Sequence, residues 1–213
     1  MGRKEGKERG TKKTKEDKIA ESQAIKDMVM KYQRIFVIKL TNKKADHLND
    51  IRRRFRSSYL CLAKKKIIGY ALGTTEETSL RPNIYQLNQY IGENCALFMT
   101  DESFEDVIQF MKSLTCPDYA TTGFIATETF VVPAGHLTQF PYSMDSHLRE
   151  LGLPVQLDNG TINNIRDYEV CHVGQPITKN AAELLNHFGK MIATFSADPL
   201  AMWQNDEVTT PNS

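Results

Sequence analysis

Arg52, Arg53, Arg54 and Arg56 stand within five residues, and Lys64, Lys65 and Lys66 follow shortly after. Side chains of this kind at this density contact phosphates, and arginine can also fork or stack onto base edges. Lys43 and Lys44 lie a few residues upstream, and Lys12, Lys13, Lys15 and Lys18 crowd the start of the chain. Of the 27 lysines and arginines, 21 fall in the first 66 residues against 8 acids, so that third is formally +13. The rest carries −12, and the net +1 hides a basic front joined to an acidic back. A local field of one sign attracts a polyanion whatever the net charge, and nucleic acid fits that description. Any one of these clusters is equally well a solvated face, since basic residues favour helix C-termini. Together, with few acids beside them, they mark a nucleic-acid surface.

Other chemistries find little support. No Gly-x-Gly-x-x-Gly follows the first apolar run, where the chain reads "IKLTNKKADH", and no Gly-x-x-x-x-Gly-Lys-Ser/Thr occurs. Gly69-x-x-x-Gly73 is a coincidence of spacing, with Gly73 placed to end a helix. The histidines at 47, 136, 147, 172 and 187 show no recurring spacing with Ser, Cys or Asp, so packing or surface roles are expected. Asp101-Glu102 and Glu105-Asp106 sit where a helix starts and complement its dipole. The four cysteines (61, 95, 116, 171) are widely spaced and read as reduced thiols of an intracellular protein. Cys171-His172 lacks a second ligand pair nearby, so no metal site is expected. No apolar run approaches membrane-spanning length, and no apolar segment follows the charged N-terminus as a secretory signal requires. Gly6 stands where a myristoylation motif wants Ser or Thr. The sequon Asn159-Gly160-Thr161 means little without a secretory route. The residues point to a binding protein with no catalytic residues, cofactor or metal.

Residues 1–16 hold no large apolar side chain after Met1, and are expected to form a disordered basic arm. An apolar face of Ile19, Ile25, Met28, Val29 and Tyr32 predicts a helix from near Asp17. Strands are expected at residues 35–40, 59–63 and 95–100. Helices are expected at 44–54, 65–72, 83–90 and after a Ser103/Asp106 cap. This alternation predicts an α/β domain, with parallel strand–helix connections bringing the Arg and Lys clusters together. The rhythm then changes. An extended Phe130–Val132 and a short helix near His147 precede a hairpin about Asn159-Gly160. A strand at 169–173 and a helix at 180–188 follow. These make a small α+β module over 124–183, inserted in a first domain of residues 17–123 plus 184–203. A strand at 192–195 returns to that domain, and 204–213 is expected to be a flexible tail.

"IRRRFRSSYLCLAKKKIIGYALG" resembles the universal large-subunit ribosomal stalk protein, where an Ile-Arg pair, an apolar strand and a Gly-Lys turn precede a helix. "LGLPVQLDNGTINNIRDYEVCHVGQPITKNAAELLNHFG" resembles the inserted second domain of its eukaryotic and archaeal forms. The likeness spans about residues 17–203. Within that superfamily the closer likeness is to the mRNA turnover protein 4 family of nucleolar assembly factors, which resemble the stalk protein without its stalk. The lysine-rich start and the chain's stop soon after "FSADPLAMW" both suggest this branch. Ala63 departs from the family's usual Gly before the first Lys of the turn, so a different turn geometry is expected there.

The resemblance implies a stalk-protein-like α/β RNA-binding domain with an inserted α+β domain, acting as an assembly factor. Its implied partners are large-subunit rRNA at the stalk base and proteins of the pre-large subunit, including the neighbouring stalk-base protein. A release factor that exchanges it for the stalk protein is also implied, and no membrane. Its implied location is the nucleolus and nucleus, with passage to the cytoplasm. The alternative is a truncated stalk protein acting in translation on mature ribosomes. The residues expected to bind RNA are Lys12, Lys13, Lys15, Lys18, Lys43, Arg52, Arg53, Arg56, Lys64, Lys65 and Lys66.

Overall fold

The first helix is set by a cap that the composition of its opening turn conceals. In a computed structural model, which describes residues 14–211, α1 runs Lys15–Lys31. Thr14 Oγ1 accepts from the Asp17 amide and the Asp17 carboxylate accepts from the Thr14 amide, a reciprocal capping box. The expected arm therefore gives up residues 14–16 to the helix, while residues 1–13 lie outside the described part. Ile25 and Val29 bury the inner face of α1. At its C-terminal end, Arg81 donates to the Met30 and Tyr32 carbonyls at 2.8 Å and lies 5.0 Å over the Trp203 ring. A helix end needs such donors because its last carbonyls have no partner in the helix.

The described residues divide into two compact units, the first holding 14–39, 50–108 and 198–211. The main sheet takes strands β1 (Arg34–Thr41), β2 (Tyr59–Cys61), β3 (Cys95–Thr100), β10 (Ala193–Gln204) and β11 (Glu207–Thr209), in the order β11-β10-β1-β3-β2. β3 is antiparallel to both β1 and β2, with Phe98 opposite Phe36 on one side and Leu60 on the other. The expected adjacent parallel connections are absent here, because β3 lies between β1 and β2. Alternation assigns Ile35, Val37, Leu97 and Met99 to a core with Ile25, Val29, Ile67, Ile68, Leu87 and Trp203. Phe36 and Phe98 instead meet Phe104 and Phe55, with ring centroids 5.3–6.3 Å apart. A strand buried on both faces explains the near-continuous apolar runs of β1 and β3.

α3 (Lys65–Leu72) and the 3-10 segment Ile84–Tyr90 belong to the first unit, while α2 (Ala45–Arg54) and α4 (Phe104–Ser113) each contribute residues to both units. The segment expected as a helix from Asn83 is 3-10, and Asn83 enters it in the left-handed region. Ser103 caps α4 as expected, accepting from the Asp106 amide and donating to its carboxylate. Gly73 ends α3 at φ +89°, where a Cβ would come within 2.6 Å of the Thr78 carbonyl oxygen. The expected flexible tail instead holds β11, reached through Asn205 and Asp206, both at positive φ.

The second unit comprises residues 40–49 and 109–197, and the expected inserted segment falls within it. A strand not expected from the sequence, β4 (Cys116–Asp118), pairs with Ala193–Phe195 at the start of β10. β5 (Phe130–Val132) pairs with β9 (Tyr168–Cys171). β6 (Gly135–His136), β8 (Thr161–Asn164) and β7 (Val155–Asp158) form a second small sheet. The β7–β8 turn is the expected one, with Asn159 and Gly160 at φ +47° and +82°. α5 (Asp145–Glu150) and α6 (Lys179–His187) contribute Leu148, Leu184 and Leu185 to a core with Phe140, Leu153, Ile162 and Ile177. Thr127 Oγ1 donates to the Ile192 carbonyl at 2.7 Å, drawing the two ends of this module together.

Candidate nucleic-acid interface

α3 begins in a way that folding alone does not favour. Lys64 is its N-cap, in extended backbone, with no side-chain cap, and no acid lies in the first turn. The Ile67 and Ile68 amides bond back to the Lys64 carbonyl at 2.8 and 3.1 Å, which fixes the turn. Lys64, Lys65 and Lys66 are all exposed there. A helix N-terminus carries partial positive charge, so a cation in the first turn works against the dipole by about 0.3–1 kcal/mol. Three of them leave a strongly positive point that an anion would relieve. Ala63 enters this turn without positive φ and is buried in the first unit's core. Its methyl packs inward, so the turn stands without glycine.

The arginine cluster is ordinary by the same test. Arg52, Arg53 and Arg54 occupy the last turn of α2, where the dipole favours them. All three are exposed, as is Arg56 beyond the buried Phe55. Arg53 reaches Asp50 at 3.4 Å, an exposed pair of little energetic weight. Arg56 lies three residues before β2 and Lys64 three residues after it, so the two clusters flank that strand at opposite ends.

Lys15 and Lys18, on the first turn of α1, line one groove with Lys66 of α3. Lys12 and Lys13 lie outside the described residues. Lys43, in the second unit, is exposed. Its neighbour Lys44 has a structural partner in the same unit: its Nζ donates to Asp118 at 2.6 Å, while His47 Nε2 lies 2.9 Å from the other Asp118 oxygen. Burial pushes the Asp118 carboxyl up. Hydrogen bonds from Lys44, His47 and the Tyr119 amide, with the Lys44 charge, outweigh this and hold it below the usual range. Asn42, at φ +48°, ties the same loop by donating to the Tyr119 carbonyl and accepting from Thr121. No local sequence pattern marks this network, whose two halves, residues 42–47 and 118–121, lie more than 70 residues apart.

Two other groups bear on ligands. His147 Nε2 lies 3.2 Å from His187 Nε2 and 3.1 Å from Glu183 Oε1, across α5 and α6. The three ligand atoms fall within 4.8 Å of one another, a spacing able to hold a divalent cation. Spacing along the chain could have suggested only Glu183 and His187, which share a helix face at i, i+4. All four cysteines are free; Cys171 is buried, and burial raises its thiol, against a backbone hydrogen bond from Phe130 that lowers it and with the charges of Glu128 and Glu169 that raise it further. No helix among the described residues is long and apolar enough to cross a membrane.

Comparison with known proteins gives two family matches. Residues 13–115 match the family described as ribosomal protein L10, and residues 120–189 match the insertion domain described for the 60S ribosomal protein of that same type. The chain is 31% identical to the ribosome assembly factor mrt4 of Dictyostelium discoideum, across 93% of this chain and 89% of that protein. It is 26% identical to the ribosome assembly factor MRT4 of Saccharomyces cerevisiae, across 95% and 91%. It is also 24% identical to large ribosomal subunit protein uL10 of Pyrococcus horikoshii, across 92% of this chain and 58% of that protein.

Proposed function

The chain belongs to the Mrt4 family of ribosome assembly factors, within the superfamily of the large-subunit protein uL10, and from that premise we propose that it binds large-subunit rRNA at the stalk base and holds that place until the stalk protein takes it. It acts in ribosome biogenesis, on the large subunit or its RNA, and is not an enzyme. The observation that carries RNA binding is the lysine triplet at the uncapped start of α3, a charge arrangement the fold itself does not reward. Phosphates at that point would meet backbone amides and ammonium groups at once. Lys15 and Lys18 on α1 extend the contact, and Arg52, Arg53 and Arg56 add donors at the other end of β2. Lys12, Lys13 and Lys43 contribute long-range attraction. Structured RNA is read largely through its backbone and exposed loops, which a preformed basic surface suits.

The placeholder role rests on likeness to both mrt4 and uL10 over nearly the whole chain: two proteins with the same L10-type region would present the same surface to one RNA site. A neighbouring stalk-base protein, and a release factor that drives the exchange, are the partners this role requires. A role on nascent subunits calls for the nucleolus and nucleus, with passage to the cytoplasm if exchange occurs late. Sedimentation of the tagged chain with ribosomal particles tests the role. Co-migration with pre-large subunits and absence from polysomes is expected. Migration with polysomes would favour a stalk protein acting in translation, and migration with neither would remove the ribosomal role.

A further inference from the structure

The groove between α1 and α3 combines features that a folding core does not need. Its walls are almost wholly apolar, it is an open cleft of about 230 Å³, and three lysines, Lys15, Lys18 and Lys66, stand around it. Ile19 and Tyr70 line it while remaining 57% and 68% exposed, so two large apolar side chains are held in water at its mouth. Tyr70 is steadied by Lys26, whose Nζ lies 5.0 Å from the ring centroid. Ser22 also lines the groove, is 3% exposed, and its hydroxyl has no hydrogen-bond partner among the described residues. A serine inside a helix can bond the carbonyl four residues back; this one does not, and a buried polar group without a partner is rare. No carboxylate lines the groove.

We propose that this groove receives one unstacked nucleobase of the bound RNA, with Tyr70 and Ile19 against the flat face of the base, Ser22 Oγ hydrogen-bonding its edge, and the three lysines on the flanking phosphates. The inference rests on the RNA-binding reading above and adds the mode of recognition. A nucleotide is the ligand class that presents a flat apolar face and negative charge within one residue's length. Folded RNA offers such bases in loops and bulges, where they are splayed out and stack on aromatic side chains. An acidic peptide would supply charge and apolar contact only by juxtaposing two side chains. Lys66 comes from more than 45 positions beyond Lys15 and Lys18, so the fold, and not a single run of basic sequence, concentrates charge at this apolar cleft.

The full chain and its Tyr70→Ala and Ser22→Ala variants are to be titrated with two RNAs at fixed salt. One is a stalk-base rRNA fragment with unpaired loop nucleotides; the other is a fully paired duplex of equal length. Tyr70→Ala should bind the looped fragment about 5- to 150-fold more weakly, the range for losing one base stack, and the duplex as well as the parent does. Ser22→Ala should show a smaller loss on the looped fragment alone, with no loss of thermal stability because it removes an unpaired hydroxyl. Ultraviolet crosslinking should join Tyr70 to a loop nucleotide. If both variants bind both RNAs as the parent does, the groove takes something other than a base, such as a protein side chain, and the proposal fails while RNA binding stands. An equal loss on both RNAs would make Tyr70 a backbone contact and also overturn the proposal. If the parent chain binds neither RNA, the functional reading itself fails.

Discussion

Lysines at a helix start and arginines at a helix end look alike in sequence, yet the dipole gives them opposite meanings. Arg52, Arg53 and Arg54 are where a helix C-terminus wants them, whereas Lys64–Lys66 are where it does not. Lys64→Glu with Lys66→Glu should therefore weaken RNA binding at least tenfold while leaving the melting temperature unchanged or slightly raised, since an acid suits that turn. Arg52→Glu with Arg56→Glu should weaken binding too, with a small loss of stability at the α2 terminus. Calorimetry and RNA titration of the two double variants check both halves. Arg81, by contrast, caps α1 and covers Trp203, and nothing in its local sequence distinguishes it from an RNA contact. The Asp118 network was equally hidden, because only the fold brings Lys44 and His47 to that carboxylate. Its carboxyl is lowered in the folded state, so the stability it contributes is present above the unfolded carboxylate value and is lost as pH falls through the folded one. Asp118→Asn should cost about 1–3 kcal/mol at pH 7. In denaturant melts that deficit should shrink steadily below about pH 4; a deficit constant down to about pH 2.5 would mean the charge is not what matters.

Elements whose cause is local were legible, and those whose cause is a distant partner were not. The Ser103 cap, the Asn159-Gly160 hairpin, and the apolar runs of β1 and β3 all carry their reason in a few adjacent residues. The start of α1 carried one too, Thr14-x-x-Asp17, but lysines on every side masked it as unstructured arm. β4 is three residues long and exists only because Ala193–Phe195 lies opposite. β10 continues through Pro199 to Gln204, where a local reading ends it at residue 195 because proline breaks most strands. Asn205 and Asp206 tolerate the positive φ of a turn, but the polar residues after them give β11 no apolar pattern of its own. The antiparallel placement of β3 between β1 and β2 was beyond any local pattern. Gly73 shows how strict one locally legible position can be. Gly73→Ala combines positive φ with a clash against the Thr78–Ser79 backbone, and should cost roughly 2–4 kcal/mol. Gly69→Ala, where the new methyl meets only Asn88 Oδ1 at 3.5 Å, should be neutral or stabilising. Equal melting of the two alanine variants would contradict this.

Across the whole molecule, charge asymmetry was the one functional feature readable from composition, and the proposed RNA binding rests on the basic first third. The first unit's core draws no residue from 116–193, and the Thr127–Ile192 hydrogen bond closes the ends of the intervening module. Replacing residues 128–191 with a short Gly/Ser linker should thus leave a chain that melts cooperatively and binds RNA. A replacement confined to 124–183 should do worse, because it cuts α6 (Lys179–His187) in mid-helix. Loss of RNA affinity in the folded longer replacement would show that the acidic module itself touches RNA. Residues 1–13 hold six basic and two acidic groups, so their removal should flatten the salt dependence of binding. The slope of log K against log salt falls by roughly 0.7–0.9 for each phosphate that the protein no longer neutralises. The central claim, that this chain occupies the stalk protein's place on large-subunit rRNA, is tested most directly by competition on one RNA. Labelled chain bound to the stalk-base fragment should be displaced stoichiometrically by the RNA-binding domain of the stalk protein, with no species containing both. A stable complex of the RNA with both proteins at once would contradict it.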